Sequence, residues 1–246
     1  MELWHVPLLA AGGFACGILN ALAGGGSFVT LPLLLLIGLP PQVANATNRV
    51  AIVLQTAAGA GTYHHHGVLP WRFVPRLAVP LILGAIPGAL LAAYLDESVF
   101  RKAAAVLFGL MALTVFVNPK KWVRGEGEVR IRPILYPILF VLGLYGGFLQ
   151  AGVGVLLISS FVLVGNFDAV RGNALKFSLA FLFTLTSLIL FTGAGQVRWL
   201  PGLALGIGTI AGGIVGARLV IAKGGRWVRI FVILAAVGAI VKLLQS

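Results

Sequence analysis

Two solitary cations carry the first chemical clue in this chain. Arg49, in "VANATNRVAIV", and Lys176, in "VRGNALKFSLA", each stand about two turns into a strongly apolar stretch. A cation at mid-membrane depth is costly, so it must face the protein interior and find a partner. The chain has only six acids, Glu2, Asp96, Glu97, Glu126, Glu128 and Asp168, and all map to segment ends or loops. A bound anion is then one source of the missing negative charge. Snorkelling towards the surface or bonding to backbone carbonyls is the alternative. Amides and hydroxyls nearby would complete an oxyanion site: Asn20 and Gln150, with Thr47, Asn48 and Asn173 beside the cations. Asn45 belongs to the same group or simply ends a helix.

The second clue is a triple glycine inside an otherwise membrane-spanning run, "NALAGGGSFVTLPLLLL". Glycine is among the poorest helix formers, and non-helical backbone at membrane depth is tolerated only where protein buries it or it lines a wet cavity. Carriers built from inverted repeats place such breaks at the substrate, aiming the positive ends of half-helices at anionic groups. Here Ala23, Gly24, Gly25 and Gly26 would make the turn, with Ser27 capping a short helix to Ile37. "QAGVGV" offers a weaker break at Gly152 and Gly154. Close helix packing is the competing role for these glycines, and it is the one expected for Gly84/Gly88 and Gly212/Gly216.

Other chemistries find little support. "YHHHG", Tyr63 to Gly67, lacks a cysteine or carboxylate to complete a zinc shell and reads as a solvated or interfacial cluster. The chain shows no phosphate-loop, HExxH or Ser-His-Asp grouping, so no enzyme, metal or cofactor is expected. Cys16 is the single cysteine and reads as an inert buried thiol.

The elements that must position these residues follow from composition. The chain is 59% hydrophobic and 10% charged, against about 25% charged in a soluble domain, and apolar runs recur along its length. An all-α polytopic protein of the cytoplasmic membrane is the expectation, with the bilayer as its constant partner. The net charge of +12 is spread over short loops, which fits an anionic leaflet better than a nucleic acid. No cleavable signal peptide is evident in "MELWHVPLLAAGGFACG".

The chain also repeats itself. Gly13, Gly17, Asn20 and Gly24 fall on Gly143, Gly147, Gln150 and Gly154 at an offset of 130, and Arg49 falls on Lys176. Trp71, Gly84, Gly88 and Arg101 fall on Trp199, Gly212, Gly216 and Arg229 at an offset of 128. Two homologous halves are therefore expected, residues 1–117 and 133–246, joined by a basic cytoplasmic linker at 118–132. Each half would hold a Gly-broken stretch (Trp4 to Ile37; Pro133 to Val164) and three spans. In the first half these are Gln42 to Tyr63, Phe73 to Leu95 and Val99 to Val117; in the second, Val170 to Thr192, Trp199 to Ile221 and Trp227 to Leu244.

Each broken stretch either crosses once or folds back. About 33 helical residues reach roughly 50 Å, too long for a ~30 Å core without steep tilt. Fifteen of the eighteen basic residues lie outside the bilayer when Arg49, Lys176 and Arg218 are set aside. With the linker inside, a single crossing puts nine of them in the cytoplasm, and a hairpin, which makes the halves inverted repeats, puts eleven there. The hairpin is favoured.

The segment "LNALAGGGSFVTLPLLLLIGLPPQVANATNRVAI", the repeated half-motif and the short basic linker resemble the TauE/SafE family of sulfite and organosulfonate exporters. The resemblance covers nearly the whole chain and implies a duplicated carrier for sulfite or small sulfonates in the cytoplasmic membrane. It departs from the pattern at "AGVGV", where a second triple glycine would be expected. The resulting expectation is a secondary transporter exporting such anions by alternating access, with Arg49 and Lys176 supplying charge and Gly25, Gly26 and Ser27 supplying backbone donors. Without an embedded carboxylate, proton linkage would run through the substrate's own proton or a histidine. A channel-like anion pathway and a non-transporting scaffold are the rival readings, and a homodimer is left open.

Overall fold

A computed structural model describes residues 4–114, 129 and 131–223. The expected span from Trp227 to Leu244 and nearly all of the basic linker lie outside the described residues. Within them the chain is all-helical: α1 (His5–Ala23), α2 (Ser27–Leu36), α3 (Pro41–His65), α4 (Val74–Tyr94), α5 (Glu97–Thr114), α6 (Leu135–Phe148), α7 (Val153–Leu163), α8 (Ala169–Gly193) and α9 (Trp199–Lys223). Among the described residues, four helical stretches are apolar and long enough to cross a bilayer: His5–Leu22, Trp71–Tyr94, Ala169–Gly193 and Trp199–Lys223. Helix α3, with 25 residues, reaches about 38 Å. Its lower apolarity comes from the buried Asn, Thr, Arg and Gln side chains it turns inward.

The first broken stretch folds back. Helix α1 ends at Gly24, whose φ of 77° is left-handed and closes the helix with its N–H on the Asn20 carbonyl. Gly26 then lies against Cys16 and Asn20, and Leu33 reaches Gly12, so α2 descends along the helix it has just left. Ser27 is the first residue of α2, with Gly26 at the N-cap and no side-chain cap bond. The expected serine cap is thus replaced by a backbone turn, because the glycines already set the chain direction. The second break is sharper than "AGVGV" suggests: Gln150 and Gly152 both adopt left-handed conformations, with φ of 67° and 75°.

Packing interlocks the two parts of the chain. Helix α1 lies on α9 through Gly13 and Gly17 against Leu205, Thr209, Gly212 and Gly213. Helix α6 lies on α4 in the same way, through Gly143 and Gly147 against Leu81 and Ala85. These glycines let backbones touch, which is what holds apolar helices together where lipid offers no hydrophobic drive. Gly84, Gly88, Gly212 and Gly216 all serve such contacts. Helices α3 and α8 cross antiparallel, Gly59 meeting Phe177 and Tyr63 meeting Asn173.

The bundle has two distinct ends. Gln42 bonds the carbonyls of Ala92 and Leu95, Gln196 bonds that of Ala93, and the Thr47 hydroxyl accepts from the Arg198 N–H at one end. At the other, Gly67 to Pro70, Arg72 and Phe73 gather with Phe167, Arg171 and the linker residue Val129 around a pocket of about 230 Å³. Asp168 caps α8 there, accepting from the N–H groups of Val170 and Arg171.

Candidate functional site

The two breaks meet at the centre. A Cβ built on Gly154 would fall 2.7 Å from the Gly24 carbonyl oxygen, so the backbones are in direct contact. Beside this contact lies a cavity of about 20 Å³, lined by Asn20, Gly24, Ser27, Ile52, Thr56, Gln150, Val153, Gly154, Lys176 and Ala180. Its size suits a single water. Six residues expected at the site from the sequence, Asn20, Gly24, Ser27, Gln150, Gly154 and Lys176, therefore share one small space.

The polar groups in this space are arranged by helix ends. The N-terminal residues of α2 and α7, Ser27, Val153 and Gly154, line it, so two positive dipole ends converge there. The C-terminal ends of α1 and α6 arrive at the same level, and each is met by a cation from α8 or α3. Lys176 donates from Nζ to the Asn20 carbonyl at 2.5 Å, with its ammonium 4.5 Å from the Phe177 ring centroid. Arg49 donates to the Gly146 and Gly147 carbonyls at 2.6 and 2.9 Å, and its guanidinium lies 5.4 Å from the Phe191 ring centroid. Both cations are buried. The negative helix ends are thus neutralised in place, and the positive ends of α2 and α7 remain facing the cavity. The described acids, Asp96, Glu97 and Asp168, all sit at helix starts away from it.

The remaining expected residues form the walls. Asn173 donates to the Ala21 carbonyl at 2.6 Å and to the Tyr63 hydroxyl at 3.0 Å. With the Phe177 ring 5.6 Å from that of Tyr63 and tilted 50° to it, this makes a buried layer between the cavity and the end bearing Arg72 and Arg171. Arg49, its two carbonyls and Phe191 form a corresponding layer on α3 and α8. Asn48 donates to Ser27 Oγ at 3.4 Å, Asn45 to the Phe148 carbonyl at 2.8 Å, and Thr47 faces Arg198. Gly25 lies against Phe28, and Gly152 provides the N-cap of α7. Neither lines the cavity.

The sequence reading missed Thr56, Thr184, Tyr63 and Ile52. Thr56 and Thr184 are 128 residues apart, the same offset as the repeat. Two buried threonines at equivalent positions in apolar spans were the available signal. Thr184 accepts from Gln150 at 2.7 Å. His64 lies away from the cavity and accepts from the Trp71 indole at 2.9 Å.

A helical bundle with two broken helices meeting at a buried, cation-bearing centre is the architecture of a multi-pass membrane protein. The sequence profile of the family described as Sulfite exporter TauE/SafE matches residues 9–243. The chain belongs to that family. Its curated relatives include a probable membrane transporter protein of Sinorhizobium sp., 26% identical over 98% of this chain and 93% of the relative. A probable membrane transporter protein of Haemophilus influenzae is 27% identical over 93% and 90%. The probable membrane transporter protein YfcA of Escherichia coli K12 is 27% identical over 99% and 89%. No solved structure matches the chain.

Proposed function

We propose that the chain is a secondary carrier that exports small sulfur-containing anions, sulfite or organosulfonates, across the cell membrane by alternating access. The observation that carries the proposal is the central cavity: one ammonium, two half-helix N-termini, the Asn20 and Gln150 amides and the Ser27 and Thr56 hydroxyls face it, and no described acid does. Such a field suits an anion and rejects a cation.

A sulfur oxyanion needs more room than one water, so the two breaks must part to admit it. The antiparallel crossing of α3 and α8 supports halves related by inversion, and such halves would open one sealing layer while closing the other. The Tyr63–Asn173–Phe177 layer would gate the Arg72/Arg171 end, and the Arg49–Phe191 layer the opposite one. With the positive-inside rule, the Arg72/Arg171 end is cytoplasmic. Lys176 would contact substrate directly, while Arg49, tied to two carbonyls, would shape the site from behind.

Reconstituted protein in liposomes tests the reading. Saturable flux of sulfite or a small sulfonate, lowered at least tenfold in Lys176→Gln, supports it. Flux of no small anion by correctly folded protein overturns it, and uncoupled, non-saturating current would replace the carrier with a channel.

A further inference from the structure

The cavity contains one feature that an anion alone does not explain. Gln150 is buried, 4% exposed, and lines the cavity. Its Nε2 is committed to Thr184 Oγ1 at 2.7 Å, while its Oε1 has no hydrogen-bond partner among the described residues. Asn48 shows the same arrangement on α3: Nδ2 donates to Ser27 Oγ at 3.4 Å, and the buried Oδ1 is unpartnered. Gln150, which lines the cavity, therefore sets an amide oxygen among the donors, while Asn48 lies behind Ser27.

A fully ionised oxyanion has acceptors only. Set in this cavity with the Gln150 amide oriented as it stands, Nε2 on Thr184, it would satisfy Lys176 and the N–H groups of α2 and α7 but would leave Gln150 Oε1 buried without a donor. An unmet buried acceptor bears its full desolvation penalty. An anion that keeps an acid proton meets both needs at once. Its O–H donates to Gln150 Oε1, and its remaining oxygens accept from the ammonium and the helix N-termini.

We infer that Gln150 is a specificity-determining residue that accepts a hydrogen bond from its ligand's acid proton, so that the site selects a proton-bearing monoanionic oxyanion, such as hydrogensulfite, over proton-free oxyanions. The inference rests on the anion-carrier reading above and specifies the protonation state that reading leaves open. The ligand's proton then crosses with it, and no embedded carboxylate is required for proton linkage.

The ionisable groups around the cavity come from four helices. Lys176 on α8 lines it. On α3, Arg49 is held by the α6 carbonyls and the Tyr63 hydroxyl accepts from Asn173. Cys16 on α1 is buried one turn before Asn20, and Tyr145 on α6 donates to the Ala151 carbonyl. Helices α2 and α7 carry no ionisable side chain, and the two on α4, Arg76 and Tyr94, are exposed.

Purified protein in lipid nanodiscs provides the test, by calorimetric binding of two pyramidal anions under anaerobic conditions. Sulfite changes from proton-bearing monoanion to dianion as pH rises past neutrality; chlorate is a monoanion with no proton at any pH used. Below neutral pH, wild type should bind sulfite about tenfold to a hundredfold more tightly than chlorate. Sulfite affinity should fall as pH rises while chlorate affinity stays level, which separates the ligand's proton from titration of Lys176. Gln150→Leu should bring the sulfite-to-chlorate ratio close to one.

Equal binding of both anions by wild type, or a parallel pH dependence of the two, overturns the inference and leaves the carrier standing. An unchanged ratio in folded Gln150→Leu also overturns it. Binding of neither anion to wild type at any pH removes the inference together with the function it rests on. The wild-type comparison needs no variant, so a Gln150→Leu protein that fails to fold leaves the decision intact.

Discussion

Gly24 and Gly154, 130 positions apart in sequence, touch backbone to backbone: a Cβ on Gly154 would lie 2.7 Å from the Gly24 carbonyl oxygen and 2.9 Å from its Cα. No side chain intervenes, so the turn that ends α1 and the first turn of α7 share one surface. That contact brings Asn20 and Gln150, each just before its break, to the same cavity.

Gly154→Ala should therefore act on both breaks at once. The atoms it meets are backbone, which cannot rotate aside, and overpacking of this kind costs about 1–3 kcal/mol. A lower thermal midpoint in detergent, together with reduced anion binding, is the expected result. Wild-type stability and binding would show that the breaks are free to separate at rest.

Arg49 should be more structural than Lys176. Its fork engages two carbonyls, a geometry that an ammonium cannot copy. Arg49→Lys should lower stability by about 1.5–3 kcal/mol, the worth of one charged hydrogen bond. Lys176→Arg should retain more stability but lose anion binding, because a longer planar group would fill the small cavity. Thermal melts and binding isotherms on the same two preparations distinguish the roles.

Helix direction predicts the sidedness of cysteine labels. Gly38→Cys, Arg101→Cys and Arg198→Cys lie at one end of the bundle, and Arg72→Cys and Arg171→Cys at the other. In intact cells an impermeant maleimide should label the first group and spare the second. Native Cys16 is 0% exposed and supplies a silent background. The reverse pattern would overturn the proposed sidedness of the bundle.

Asp168 should stabilise α8 and take no part in anion binding. Its carboxylate accepts from Val170 and Arg171 at 3.0 and 2.9 Å, and loss of such a cap costs about 0.5–2 kcal/mol. Asp168→Ala should lower the melting temperature and leave the anion affinity within twofold.

Much of this was legible in residue order. The triple glycine marked the first break because three poor helix formers interrupt a run of leucine, alanine and valine. Arg49 and Lys176 stood out because charge is so scarce. The second break was harder to read, since one of its left-handed residues is Gln150, whose side chain gives no local warning of a positive φ. Ser27 looked like a cap by residue type, yet Gly26 holds that position.

By itself, then, the order of residues determined a helical membrane protein, the location of its breaks and the amide-rich company of its cations, because hydropathy, glycine propensity and charge cost are local properties. Tertiary structure decided which of those cations reaches the cavity. Lys176 and Arg49 look alike in the sequence, each a lone cation in an apolar span, but one bonds a carbonyl at the cavity wall and the other bonds two behind it. That difference depends on how α3 and α8 cross and on which helix end each side chain can reach, and no spacing along one segment records the position of another.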